Sequence, residues 1–228
     1  MLHCNITRQG RRSCEFFVSQ ASRHGLRHRR GSPCSGHEQK SAQLRIVAGE
    51  LRGRVIQAPE GEATRPTSDR ARQAVFNILE HAPWSPGLDG LRVLDLFAGS
   101  GAMGLEALSR GAVHAAFVET AGPALAALRA NIETFRLGPR TAVLRQDATR
   151  LAARGAEPAF DLAVLDPPYG QGLGEPALAA LTTGGWLAPE AVVVFERATD
   201  EPALELPGWE VLDQRRYGKA AVWLLRLA

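Results

Sequence analysis

Beyond Cys34 the sequence contains no cysteine: Cys4, Cys14 and Cys34 are the only three. No Cys-x-x-Cys pair or zinc spacing occurs, and the nearby Cys34 and His37 have no second pair to complete a site. Neither a disulfide framework nor a metal site is therefore expected, and a reducing, cytoplasmic compartment is. No apolar run approaches the roughly 20 residues that a membrane-spanning helix needs, so a soluble protein without a membrane partner is expected. The first residues also lack the apolar segment of a secretory signal and resemble a transit peptide only superficially. Histidine is sparse, and His81 and His114 fall outside every motif. Acidic residues are scarce in residues 1–44, where eight Lys and Arg face only Glu15 and Glu38, a net of +6; the whole chain carries +3, which leaves −3 for the rest. The basic character thus belongs to the tail, and overall charge identifies no nucleic-acid partner for the remainder. Residues 1–43 are expected to be a disordered tail or a mis-assigned start, because they cannot bury enough apolar surface to offset the entropy of ordering.

What is present is an α/β pattern. With 45% hydrophobic residues, 228 residues suffice for one good-sized core and a small appendage. The chain is organised around Leu91 to Ser109, LRVLDLFAGSGAMGLEALS. A strand-length apolar run leads into Gly99, Ser100 and Gly101, and a helix follows from about Met103. Glycine admits positive φ and close approach of a ligand, and the free N–H groups of the helix start face the turn. Such a turn also serves plain strand-to-helix packing. Asp95 inside the strand and Glu119 at the end of the next apolar run sharpen the reading, since an acid there accepts from both ribose hydroxyls of an adenosine compound. The next glycine stands at 104 rather than 106, and a strand carboxylate repels a pyrophosphate but attracts the sulfonium and amino group of S-adenosylmethionine. That cofactor is favoured over NAD.

The rest of the chain supports a doubly wound sheet. LRIVAGELRGRVIQAP, from Leu44, reads as a hairpin carrying Arg45, Arg52 and Arg54, which suit phosphate contacts or a solvated face equally. A helix is expected from about Asp69 to Glu80, capped by Thr67 or Ser68. Apolar runs at 113–118, 141–145, 160–165 and 191–195 alternate with helical stretches at about 121–136, 147–153 and 174–183. Right-handed crossovers place Glu119, Asp147 and Asp166 at one crevice with the glycine turn. WEVLDQRRYGKAAVWLLRL signals a closing antiparallel hairpin at the sheet edge. Three segments result: the tail, an appended hairpin and helix over 44–82, and a core domain over 83–228.

The second motif is Asp166-Pro167-Pro168-Tyr169, directly after FDLAVL. Two prolines stiffen the loop and remove donors, which leaves a rigid set of acceptors suited to an exocyclic amine, while Tyr169 offers a face for a planar base. LDLFAGSGAMG with DPPY resembles the amino-methyltransferases that use S-adenosylmethionine. RIVAGELRGRVI, RPTSDRARQAVFNIL, LDLFAGSGAMGLEALSRGA, VLDPPYGQGL and GWLAPEAVVVFE, in that order, are similar to the 16S ribosomal RNA guanine-N2 methyltransferases from Leu44 to the end. The resemblance implies a Rossmann-like, seven-stranded methyltransferase sheet, mostly parallel with an antiparallel carboxyl-terminal hairpin. It also implies methylation of a guanine N2 in small-subunit ribosomal RNA, guanine 966 in the family's rRNA numbering, by a monomer acting on the subunit or an assembly intermediate.

Carried over by motif, the resemblance places Asp95, Phe97, Gly99, Ser100 and Gly101 on the methionine side of the cofactor, Glu119 on the ribose and Asp147 on the adenine. Asp166, Pro167, Pro168 and Tyr169 would hold the guanine, and Arg65, Thr67, Asp69 and Arg70 would close over cofactor and base. Asp147 could equally cap the next helix, and Asp69 and Arg70 could form a solvated first turn. The target base must be unpaired or turned out of its stack. A DNA or other RNA amino-methyltransferase, a glutamine methyltransferase, a non-catalytic RNA-binding assembly factor and an NAD oxidoreductase remain as alternatives.

Overall fold

The computed structural model describes residues 43–59, 66–202 and 205–228, with residues 66–69 described as backbone only. The expectations for the tail and for Arg65 lie outside the described residues, as do the side chains of Thr67 and Asp69. The elements run α1 (Pro66–His81), β1 (Arg92–Leu96), α2 (Ala102–Ser109), β2 (His114–Val118), α3 (Gly122–Phe135), β3 (Thr141–Leu144), β4 (Phe160–Leu165), α4 (Gly174–Thr183), β5 (Leu187–Ala198), β6 (Trp209–Tyr217) and β7 (Ala220–Leu227). One seven-stranded sheet has the order β3-β2-β1-β4-β5-β7-β6.

Strands β1 to β5 are parallel, and β1, β2, β4 and the middle of β5 are buried on both faces, which is why they read as continuous apolar runs rather than alternating ones. Successive residues still divide between two cores. Val93, Phe117, Leu162, Val164 and Val194 face one cluster with α1, α2 and α3, while Leu94, Val118, Leu165, Val193 and Phe195 face the other with α4. The closing hairpin forms as expected, with a refinement. β7 inserts between β5 and β6 and pairs antiparallel with both, so β6 again runs with the parallel strands.

Four expectations need correction or refinement. The hairpin over 44–59 forms but is short: Ile46 N–H to Arg54 O and Ile56 N–H to Leu44 O (2.9 Å each) flank a single antiparallel bridge, Arg45 to Val55, and beyond it Val47 N–H and Ala48 N–H donate to the Glu106 carboxylate on α2 (2.7 and 3.0 Å). The hairpin and its turn form a strap over α2. Helix α1 begins at Pro66, so Thr67 and Ser68 lie within its first turn and do not cap it; proline's fixed φ suits that first position. The stretch 147–153 holds only a 3₁₀ turn, Ala148–Arg150, with Asp147 as its cap. Finally, β5 is extended at both ends, over Leu187–Ala198, and its pairing with β4 shifts register between Phe160 and Leu162.

The strap is fastened by buried polar groups. Glu106, fully buried, also accepts from Arg110 Nε at 2.7 Å and lies 3.7 Å from Arg72 Nε, while Arg110 reaches Glu80 at 2.9 Å. Ser109 Oγ donates to Ala48 O at 2.6 Å and accepts from Leu51 N–H at 2.9 Å. Gly49, at φ +81°, lies against the Ser109 backbone, where a Cβ would come within 1.8 Å of its carbonyl oxygen. These contacts lock the amino-terminal segment onto the helix that carries the glycine turn.

Candidate active site

The carboxyl edge of the sheet sets out a row of groups by register alone. Leu96 pairs with Val118 and Leu165, and Leu165 with Phe195. One residue further stand Phe97, Glu119, Asp166 and Glu196, each on a neighbouring strand end at the usual spacing of about 5 Å. Alternation puts Asp166 on the face of Val164, and Glu196 on that of Val194. Phe97 departs from this, since its φ of 58° turns it onto the opposite cluster. A non-glycine residue at positive φ is a strained conformation of the kind that clusters at ligand sites.

The turn after β1 is built from its glycines. Gly99 and Gly101 have φ of 55° and 82°, and Gly101 is the left-handed cap of α2. At Gly101 a Cβ would lie 2.4 Å from Leu128 Cδ1, and at Gly104 it would lie 2.4 Å from Phe117 Cε1. These two glycines permit close packing. Gly99 is different, because nothing closer than 4.0 Å would meet its Cβ, which leaves an open approach to the backbone.

Three acids converge here. Asp95, 2% exposed, accepts Gly104 N–H at 2.9 Å. Burial pushes its carboxyl up from 3.8 to about 8; the Gly104 N–H opposes this, and the negative charges of Asp166 and Glu119 add to it. Such a group favours a cation beside it. Glu119 is half-buried and already ordered, with Oε2 accepting Gly99 N–H at 2.9 Å and Oε1 accepting Thr120 and Ala121 N–H at 2.6 and 2.8 Å. In the DPPY loop Asp166 and Pro168 are exposed, Pro167 is buried and Tyr169 half-buried. The Tyr169 hydroxyl donates to Glu196 Oε1. Gly170 N–H donates to Glu201 Oε1 at 2.9 Å, which holds that carboxyl below its usual range, and Arg197 Nε binds Glu201 Oε2 at 3.1 Å. Two carboxylates from β5 and the turn after it therefore hold the loop in place.

The chain that carries the glycine turn, the acid after β2 and the acceptor loop after β4 is similar to known proteins over most of its length. Residues 44–226 match the family described as Conserved hypothetical protein 95. The chain belongs to this family. It is 35% identical over 182 residues to ribosomal RNA small subunit methyltransferase D of Escherichia coli K12, covering 79% of this chain and 88% of that relative. The protein of that name from Haemophilus influenzae is 34% identical over 178 residues, covering 77% and 90%. Among solved structures, that of the Escherichia coli protein yhhF superposes with a TM-score of 0.69 at 33% identity, covering 81% of this chain and 98% of that one.

Within this family member, the carboxyl edge of the sheet brings together Asp95, Gly99 to Gly101, Glu119, Asp166, Pro167 and Tyr169. Asp147 lies three residues beyond β3 and caps the next turn, accepting Thr149 N–H and O–H at 2.9 and 2.7 Å, and these bonds lower its pKa. Arg70 is exposed in the first turns of α1. Arg45, Arg52 and Arg54 are not brought to the crevice. The turn of their strap binds Ser109 at the carboxyl end of α2, eight residues and about 12 Å of helix from the glycine turn. Arg45 binds Gly53 O at 3.0 Å, Arg54 stacks 5.2 Å over Phe135, and Arg52 is exposed. An open groove of about 470 Å³ along α3 and β3, lined by Arg136, Gly138 and Val143 among others, also faces away from the strand ends that carry the acids.

Sequence reasoning missed three residues. Asn131, 1% exposed, accepts Gln57 N–H at 2.8 Å and donates to Gln57 O and Ser100 O at 3.0 Å each, which ties the strap to the glycine turn. Its signal was a polar residue on the apolar face of α3, between Leu128 and Phe135. Glu106 carried the same kind of signal on α2. Glu196 ends an apolar run, as Glu119 does, and that parallel was the signal for it.

Proposed function

We propose that this chain transfers a methyl group from S-adenosylmethionine to the exocyclic N2 of a guanine in small-subunit ribosomal RNA, guanine 966 in the family's rRNA numbering. The observation that carries this reading is the placing of the Asp166–Tyr169 acceptor loop one strand from Asp95 and the glycine turn, in a chain whose relatives are named as small-subunit ribosomal RNA methyltransferases.

The residues present fit the cofactor. Asp95 is a buried acid whose ionised form needs a cation nearby, Gly99 leaves its backbone open, and Glu119 is held where a ribose diol can be met. Asp95 with the turn from Phe97 to Gly101 would hold the methionine side, Glu119 the ribose, and Asp147 the adenine amine once released from Thr149. When bound, S-adenosylmethionine supplies an electrophilic methyl group on a sulfonium.

The chain's own part is positioning. Tyr169 presents a ring face for the turned-out base, and its hydroxyl bond to Glu196 fixes the orientation of that ring. Asp166 and the Pro167 carbonyl accept from the amine, which draws its lone pair out of conjugation and toward the methyl. The Asp166 carboxylate or water then receives the proton. Holding the reactants in line supplies much of the rate. Arg65, Thr67, Asp69, Arg70 and Pro168 would close over the base, in a single copy of the chain. The test is transfer of labelled methyl groups to small subunits lacking the modification, followed by mapping of the product. A single N2-methylguanine is expected, and a methyl on adenine N6, on cytosine N4 or on DNA would replace this reading.

A further inference from the structure

We propose that Glu196 selects guanine: its carboxylate accepts the N1–H of the target base while Asp166 accepts from the N2 amine. This rests on the guanine-N2 reading above and adds the source of its specificity.

The chemistry requires a second acceptor. An exocyclic amine donates to a carboxylate whether it belongs to guanine, adenine or cytosine, so Asp166 alone does not tell the bases apart. What differs is the ring nitrogen on the Watson–Crick side of the amine. In guanine it is a donor, N1–H, whereas adenine N1 and cytosine N3 are acceptors. A carboxylate at that place is satisfied by guanine and repelled by the lone pair of the other two.

Glu196 stands at that place. Since Leu165 pairs with Phe195 in a parallel register, Asp166, just past β4, and Glu196, near the end of β5, are neighbours about 5 Å apart at the backbone and on the same face. β1, with Asp95 and the glycine turn, lies on the opposite side of β4. A base whose amine sits at Asp166 and points toward β1 therefore extends the rest of its edge toward β5. Glu196 is half-buried there, and its Oε1 accepts the Tyr169 hydroxyl. The reading carboxylate and the stacking ring are thus linked. The next residue, Arg197, is directed to Glu201 and away from this task.

The test uses the full chain and small subunits reconstituted with RNA that carries guanine or 2-aminopurine at the mapped position. 2-Aminopurine keeps the N2 amine but lacks N1–H. Wild type should prefer guanine by about 10–100-fold in kcat/KM, the range for one hydrogen bond to a charged group. In Glu196→Gln the amide oxygen still serves the Tyr169 hydroxyl, but the amide N–H₂ faces the base, so the preference should fall to within about threefold of unity or invert. Tyr169→Phe should leave the preference within about threefold of wild type. If Glu196 only aligned Tyr169, both variants would slow both substrates equally, and that result overturns the proposal. Should Glu196→Gln fail to fold, wild type alone decides, because equal rates on the two bases also overturn it. A product methylated at an atom other than N2 defeats the guanine-N2 reading itself, whereas N2 methylation at equal rates defeats only the role of Glu196.

Discussion

Asp95→Asn should make the cofactor-free protein more stable and the cofactor-binding protein worse. Asp95 is buried inside β1 with one hydrogen bond, from Gly104 N–H, and with the charges of Asp166 and Glu119 nearby. Its carboxyl is raised from 3.8 to about 8. A pKa raised in the folded state contributes stability that is fully present below the unfolded value, near pH 4. It is lost progressively as pH rises to the folded value near 8, at about 1.4 kcal/mol per pH unit. The whole window of about four units corresponds to on the order of 5 kcal/mol. Asparagine keeps an acceptor for Gly104 N–H and does not titrate.

The difference in unfolding free energy between Asp95→Asn and wild type, measured by urea titration from pH 5 to 9, should therefore grow with pH and level off above 8. Cofactor binding should behave in the opposite way. A sulfonium and an ammonium favour the ionised carboxylate, so wild-type binding below pH 8 should release a proton, seen by calorimetry in buffers of different ionisation enthalpy. The variant should bind more weakly and release none. Parallel stability curves for the two proteins across this range would mean that Asp95 is ionised in the free protein, and the electrostatic argument would fail.

Glu119→Ala should weaken S-adenosylmethionine binding about 10- to 100-fold by calorimetry, in line with roughly 1.5–3 kcal/mol for a bond to a charged group; unchanged affinity would remove the ribose assignment. Glu106→Ala leaves Arg72 and Arg110 buried without their shared partner and frees the strap, so urea unfolding should show a loss of about 3–5 kcal/mol. A loss below 1 kcal/mol would mean that the strap is held without Glu106, by Ser109, Asn131 and its apolar contacts. Removal of residues 1–43 should leave melting temperature and cofactor affinity unchanged, and a lowered melting temperature would show that those residues carry part of the fold.

The parallel strands and the glycine turn were legible in the sequence because local signals specify them. Strand-length apolar runs, a Gly-Ser-Gly turn and two prolines after β4 act within a few residues of themselves. Helix α4 was legible over its full range, Gly174–Thr183, for the same reason. What escaped depended on partners far along the chain. The hairpin stops after one bridge where Glu106, 58 and 59 residues away, draws Val47 and Ala48 onto α2. The arginines on it follow the same course, since Ser109 draws the turn to the far end of α2. The bond of the Tyr169 hydroxyl was not legible, because its partner, Glu196, reaches it only through the pairing of β4 with β5. Asp147 was read as a helix cap or an adenine ligand, and the cap is what its bonds to Thr149 show.

The central claim, that the loop after β4 activates an amine beside a bound methyl donor, is tested most directly by single-turnover methyl transfer from labelled S-adenosylmethionine to unmodified small subunits by Asp166→Ala. The variant keeps Asp95, the glycine turn and Glu119, so cofactor affinity by calorimetry should match wild type at neutral pH to within a few fold. Turnover at saturating cofactor should fall by about 10²–10⁴-fold, the span of a positioned acid–base group. Turnover within a few fold of wild type would contradict the account.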